Sequence, residues 1–417
     1  MIKNAYYLYL PALFGCLLPL APHLATYSAG IMLLIWLFLL GKQVKNVYSN
    51  PLALLSVAFF VWQCVSLSYT EHFAPEGRQA IEVKIGLLLF PITLLGTADA
   101  NAEKQRFWWA SGGLLLGTLV ASFVCFSNAV FNFCVTEVHT DIFFYQELTE
   151  ILHFHPAYFS LYVVFLFYTL FYVLKHNIYG VDEWKYGRFL IYFINAWLLF
   201  FNLLLSARAG WIAMFAVGLV WFLYEMWQRK KLVQGVGLIA VTTAISLYIL
   251  LQIPTTRLRI APFLPFIKTE RRVQPLHIDA RWEAWKGAAD LIQKNPILGV
   301  GVGDVVPDLQ VTFAELNLTA AAYHKTLNAH NQWLQVQLGT GILGALLWCG
   351  LIFMPFWYYR TEKHYGLWLL FCSIFAIFVV TEAMLEVQRG TLFFGFFYFA
   401  LVAATQKNST KNNIVTQ

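Results

Sequence analysis

Twelve apolar runs dominate this 417-residue chain and leave it few ways to fold. They fall at about 6–21, 26–41, 51–69, 82–97, 107–133, 156–174, 189–205, 209–228, 233–253, 333–357, 367–386 and 390–405. One bilayer span needs roughly 20 apolar residues. Inside lipid every backbone N–H and C=O must find a partner within the structure, and a run of this length does so as a helix. The reading is therefore all-α: a polytopic membrane protein with about 12 transmembrane helices. Charge points the same way. Asp, Glu, Lys and Arg make up 12% of the residues, about half the roughly 25% of a soluble domain. That is too little to cover a water-facing surface, which excludes a cytosolic enzyme and a disordered tail protein.

Lys and Arg collect on the cytoplasmic side of membrane proteins. With the N-terminus inside and helices alternating, fifteen of the 28 basic residues fall in cytoplasmic segments. Short outer segments hold four, Arg78, Lys84, Arg208 and Arg389. Both ends are then cytoplasmic. The domain plan is helices 1–9 over 1–253, an outer loop over 254–332, helices 10–12 over 333–405 and a polar tail over 406–417. The net charge of +6 thus reflects topology and implies no nucleic-acid partner. The first apolar run lacks a small-residue cleavage site and reads as a retained span. Five of the six cysteines sit in apolar runs without metal-ligand spacing, and read as small buried hydrophobes.

Only the outer loop is large enough to fold. Within it, residues 279–296 predict an amphipathic helix with Trp282, Trp285, Ala289 and Ile292 on one face. Asp279 is the expected N-cap and Asn295-Pro296 the stop. The first half of the loop, residues 257–286, is basic, with Arg257, Arg259, Lys268, Arg271, Arg272, Arg281 and Lys286 against three carboxylates. A solvated loop face explains most of these. A smaller outer loop, about 134–155, carries three histidines and four acidic residues.

Ionisable groups at membrane depth are the first candidates for chemistry. Arg208 lies in the short turn Ser206-Ala-Arg-Ala-Gly210 on the outer side, against the charge bias; a snorkelling arginine is the plainer alternative. Arg281 lies on the aromatic-rich helix, where its fork of donors suits phosphate oxygens. His330 opens Asn328-Ala-His-Asn331-Gln-Trp-Leu-Gln335 at the loop-to-helix boundary and can exchange a proton near neutral pH; a structural histidine would look the same. Glu382, Glu386 and Arg389 cluster near the outer end of the eleventh run, where Glu386 and Arg389 have the spacing of a helix ion pair. Gly299-Val-Gly-Val-Gly303 mimics a dinucleotide fingerprint, but it follows a helix stop and no βαβ unit surrounds it, so it reads as a tight glycine turn. No Cys/His set or paired Asp motif asks for a metal.

Three segments together resemble the O-antigen ligase and polymerase family of bacterial envelope glycosyltransferases. They are Ser206-x-Arg208-x-Gly210, Arg281 and Trp285 leading to Asn295-Pro-Ile-Leu-Gly-Val-Gly-Val-Gly303, and His330-Asn331-x-Trp333-Leu334-Gln335. The layout of 12 spans with one long periplasmic loop before helix ten is similar too. The resemblance implies a GT-C-like fold in the bacterial inner membrane and no metal or other cofactor. It implies transfer of a glycan from undecaprenyl diphosphate to lipid A–core oligosaccharide on the periplasmic face, in the business of lipopolysaccharide biosynthesis. Arg208, Arg281 and His330 match its functional positions, and Asn331, Glu382, Glu386 and Arg389 are candidate substrate-binding residues. Within the family the alternative is a polymerase. A transporter of lipid-linked sugars is the alternative from another class; such proteins often show internal repeats, and none is evident here.

Overall fold

Proline and small polar caps set where the helices start. In the computed structural model Asn50 caps one helix, its Oδ1 accepting from Leu52 N at 3.0 Å and Ala53 N at 3.1 Å, with Pro51 in the first helical position. His155 and Pro156 open another the same way. The structure describes residues 5–40, 45–96, 100–136, 139–231, 276–362 and 365–405, with positions 233, 234, 236, 237, 241, 244 and 248. Most of the ninth apolar run, Arg257, Arg259, Lys268, Arg271 and Arg272 of the basic stretch, and the tail 406–417 lie outside the described residues.

The described residues are helical throughout, with no strand among them. We number the longer helices α1 (Leu10–Leu20), α2 (Pro22–Ile35), α3 (Pro51–Ser66), α4 (Arg78–Lys84), α5 (Gly86–Leu95), α6 (Ala100–Thr136), α7 (Pro156–Lys175), α8 (Gly187–Leu205), α9 (Arg208–Gln228), α10 (Leu276–Lys294), α11 (Val305–Glu315), α12 (Gln332–Tyr358), α13 (Tyr365–Thr381) and α14 (Gln388–Thr405). Among the described residues five helical stretches are long and apolar enough to cross a membrane: Pro51–Tyr69, Gln105–Val135, Pro156–Lys175, Gly187–Leu205 and Gln332–Tyr358. Shorter apolar helices include Tyr6–Leu20, Pro22–Phe38, Arg208–Leu223 and Tyr365–Thr381. All six cysteines are free.

The chain divides into two compact units, residues 1–121 with 281–417, and residues 122–280. In the first, α14 is apolar on every side and buried from Gly390 to Thr405. It packs on α5, with α1, α2 and α13 also touching it, while α12 packs on α3 and α13. In the second, α7 packs on α8 and α9.

The segment between α10 and α12 builds its own small core. Ala284, Ala288 and Leu291 of α10 pack with Val305, Leu309 and Phe313 of α11, and with Ala321, Ala329 and Leu338. This corrects the expected inner face. Trp282 is 58% exposed, Ala289 is exposed, and Trp285 and Ile292 are only partly covered. The physical reason is size. Gly287 meets the Phe313 ring so closely that a Cβ there would lie 2.5 Å from it, so the small residues of α10 take the contact and the Trp282 indole stays out. The helix also begins at Leu276, so Asp279 lies inside it rather than capping it; the stop before Asn295-Pro296 is as expected.

The Asn295–Gly303 turn docks on a break in α12. Gly341 has φ +62° and ψ −162°, a conformation only glycine adopts cheaply, and a Cβ there would lie 1.9 Å from Ile297 O. The break redirects Ile342 N to Pro296 O and Ile297 O and leaves Leu338 O for Val300 N at 2.7 Å. Kinks persist where freed groups find such partners. On its far side the turn ends in Asp304, whose carboxylate accepts from Glu71 N at 2.8 Å and His72 N at 2.7 Å and meets His72 Nδ1 at 2.8 Å.

That last contact is pH-dependent. The hydrogen bond to Asp304 raises the His72 imidazole above its ordinary 6.5, with Glu76 and Asp308 adding to the effect. A raised histidine gives its stabilisation in full below pH 6.5 and loses it as pH climbs through the raised value. The melting-temperature gap between wild type and His72→Ala in detergent is therefore expected to be larger at pH 6 than at pH 9. An equal gap at both would contradict the ionic part of the latch.

Candidate active site

The loop that carries His330 is strung on side-chain amides. Asn328 Oδ1 accepts from His330 N at 2.9 Å, and Gln335 Oε1 accepts from Ala329 N at 3.2 Å. Asn331 Oδ1 caps α12, accepting from Trp333 N at 2.9 Å and Leu334 N at 3.2 Å. His330 itself sits at φ +43°, a left-handed conformation that a non-glycine residue adopts only where its surroundings impose it. Asn331, a candidate substrate residue, thus has a local task in the structure: it starts the helix.

His330 faces the crossover between α13 and α14. Its Nδ1 lies 3.2 Å from Glu382 Oε2. The other oxygen, Oε1, accepts from Arg281 Nη2 at 2.5 Å. One carboxylate therefore bridges two of the residues singled out from the sequence, which stand 49 positions apart. The Glu382 side chain is 6% exposed, against 25% for Arg281 and 27% for His330. An ionised carboxylate only accepts, so a neutral imidazole in this contact is the Nδ1–H tautomer, with its lone pair on Nε2. Among the described residues Nε2 has no hydrogen-bond partner.

Glu386, one short helical turn further on, is held differently from the expected pair with Arg389. Its Oε2 accepts from Lys84 Nζ at 2.6 Å and its Oε1 from Gln332 Nε2 at 3.4 Å. Gln332 Oε1 in turn accepts from Leu385 N at 2.6 Å. The expected geometry fails because α13 ends at Thr381, five residues before the apolar run does. Glu382 then lies just past the helix, Glu386 in the single turn Met384–Glu386, and Arg389 in the first turn of α14. Helical spacing does not apply across that break. Lys84, 2% exposed, and Gln332, fully buried, were not singled out from the sequence. An ionisable residue at the outer end of an apolar run was the available signal for Lys84, which was counted instead as a topology marker.

Arg208 belongs to the unit of residues 122–280. Ser206, at φ +48°, ends α8 in the left-handed conformation, and Arg208 is the first residue of α9, half-buried. Gly210 lets α9 approach α7 closely: a Cβ there would lie 1.8 Å from Ser160 Oγ, which donates to Asn202 Oδ1 at 2.5 Å. The serine and glycine of the Ser-x-Arg-x-Gly motif are thus backbone devices that turn the chain and seat the arginine. Among the described residues no group of three His, Cys, Asp or Glu side chains is gathered as a metal site would need.

The fold and this cluster define a class: an all-helical membrane-type protein with a charged site at a loop-to-helix junction. Residues 193–349 match the family model described as O-Antigen ligase, and over that stretch the chain carries the O-antigen ligase family's domain. Members of that family are ligase- or polymerase-like glycosyltransferases. The match contains Arg208, Arg281 and His330; Lys84, Glu382 and Glu386 lie outside it. No curated protein matches the chain.

Breaking the buried Lys84–Glu386 pair from one side leaves a buried charge without its partner, which costs about 3–5 kcal/mol. Lys84→Met is expected to lower thermal stability sharply, and Lys84→Met with Glu386→Gln to recover part of the loss. A double variant no more stable than the single one would contradict the pairing.

Proposed function

We propose that the protein is an O-antigen ligase-like glycosyltransferase. It moves a glycan from undecaprenyl diphosphate to the lipid A–core oligosaccharide, inverting the anomeric centre without a metal. The observation that carries this reading is the Arg281–Glu382–His330 bridge, joined to the family match over 193–349. Basic-residue bias supports a bacterial inner-membrane protein of about 12 spans, GT-C-like, with both termini cytoplasmic and the site toward the periplasm.

The chemistry follows from charge. As the glycosidic C–O bond breaks, its electron pair goes to the diphosphate, whose negative charge grows. Arg281, and Arg208 by the resemblance, supply compensating positive charge. The acceptor hydroxyl attacks from the opposite face and gives its proton to His330 Nε2. Glu382 holds Nδ1–H and so fixes which ring nitrogen is the base, an arrangement that favours orienting the histidine over gripping the acceptor sugar.

In a deletion strain complemented with wild type, the surface lipopolysaccharide is expected to carry long glycan chains. Arg208→Ala, Arg281→Ala or His330→Ala should leave core lipid uncapped while full-length lipid-linked chains accumulate. Loss of general-base work alone costs about 10²–10⁴-fold in rate. Single capped repeats would indicate the polymerase of the same family. Near-normal capping by all three variants would overturn the site.

A further inference from the structure

Arg281 is the residue assigned to the donor's diphosphate, yet in the structure its guanidinium is held by Glu382. The contact is the shorter of the two the carboxylate makes with the site residues, 2.5 Å against 3.2 Å to His330. A bond between a guanidinium and a carboxylate is charge-assisted and stronger than one between neutral groups. Among the described residues Arg281 Nε and Nη1 make no hydrogen bond, so the fork meets its carboxylate through one nitrogen only.

The two partners differ in freedom to move. Glu382 is anchored: its N donates to Phe378 O at 3.1 Å, and the turn that follows is pinned by Lys84 and Gln332 through Glu386 and Leu385. Its nearly buried side chain has little room to rehydrate. Arg281, a quarter exposed on a long flexible stem, has room to swing. A diphosphate offers more charge and more oxygens than a carboxylate and matches the guanidinium fork with two bonds at once.

We infer that Glu382 is an internal competitor of the donor's diphosphate for Arg281, and that donor binding transfers the guanidinium while the carboxylate stays on His330. This rests on the reading of Arg281 as a diphosphate ligand. Glu382 is then a positioning residue with two opposed effects. It weakens donor binding by occupying Arg281, and it speeds the chemical step by orienting His330.

The test uses the purified full-length protein in detergent, with inorganic pyrophosphate as the probe in calorimetry and the lipid-linked donor in initial-rate kinetics. Glu382→Gln should bind pyrophosphate about five- to tenfold tighter than wild type while kcat falls at least about tenfold. A residue that merely supports the fold would not tighten binding when removed. Glu382→Asp keeps the buried charge but reaches less far; it should tighten binding about twofold and serves where Glu382→Gln fails to fold. Asp290→Asn removes a charge from the helix that carries Arg281, where its partner is Lys294, and should change pyrophosphate binding less than about twofold. If Arg281→Ala binds pyrophosphate as wild type does, the diphosphate reading of Arg281 fails. If Arg281→Ala weakens binding and both Glu382 variants fail to tighten it, the competitor role alone fails. Tightening by Asp290→Asn equal to that by Glu382→Gln would also overturn it, since charge removal anywhere nearby would then be enough.

Discussion

The Glu382 carboxylate holds together residues that the chain supplies from far apart. Arg281 comes from α10, His330 from the loop before α12, and Glu382 from the crossover after α13. A buried carboxylate in that position is costly unless it is paired. Its two partners at 2.5 and 3.2 Å offset that cost, and in return it fixes where the guanidinium and the imidazole stand. Much of the surrounding architecture keeps this contact in register. The Lys84–Glu386–Gln332 set pins the crossover, the amides of Asn328, Asn331 and Gln335 hold the His330 loop, and the break at Gly341 seats the Asn295–Gly303 turn against α12.

On the proposed reading the arrangement separates two electrostatic tasks. One is compensation of charge on a diphosphate, which calls for cations whose protonation never varies, hence arginine. The other is acceptance of a proton near neutral pH, which calls for histidine. Linking both to one anion couples them. A change at Arg281 would then be felt at His330 through Glu382.

Helix positions were largely legible from the sequence because lipid forces one solution on an apolar run, and residues such as Asn50, Pro51 and Pro156 mark starts by known cap chemistry. Arg281, His330, Glu382 and Glu386 were legible as unusual charges at membrane depth. Their pairing was not. The Glu386–Arg389 expectation assumed an unbroken helix, and the chain leaves helical geometry at Thr381. The inner face of α10 was misjudged because hydrophobicity ranks tryptophan above alanine, while close helix packing selects for small side chains around Gly287. The partners of Lys84 and Gln332 were not legible, since they lie 302 and 54 positions away. The Ser206 and Gly210 flanks of Arg208 were legible as a motif, and the structure supplies their reason in a left-handed turn and a close helix approach.

The most direct measurement of the central claim is transfer itself. Purified protein in detergent micelles, given undecaprenyl diphosphate-linked glycan and lipid A–core acceptor with a chelator present, is predicted to yield glycan-capped lipid and free undecaprenyl diphosphate, and His330→Ala is predicted to yield neither. Micelles have no second compartment, so a transporter would produce nothing. Absence of capped product from folded wild-type protein, together with movement of the lipid-linked glycan across the bilayer in reconstituted vesicles, would contradict the account.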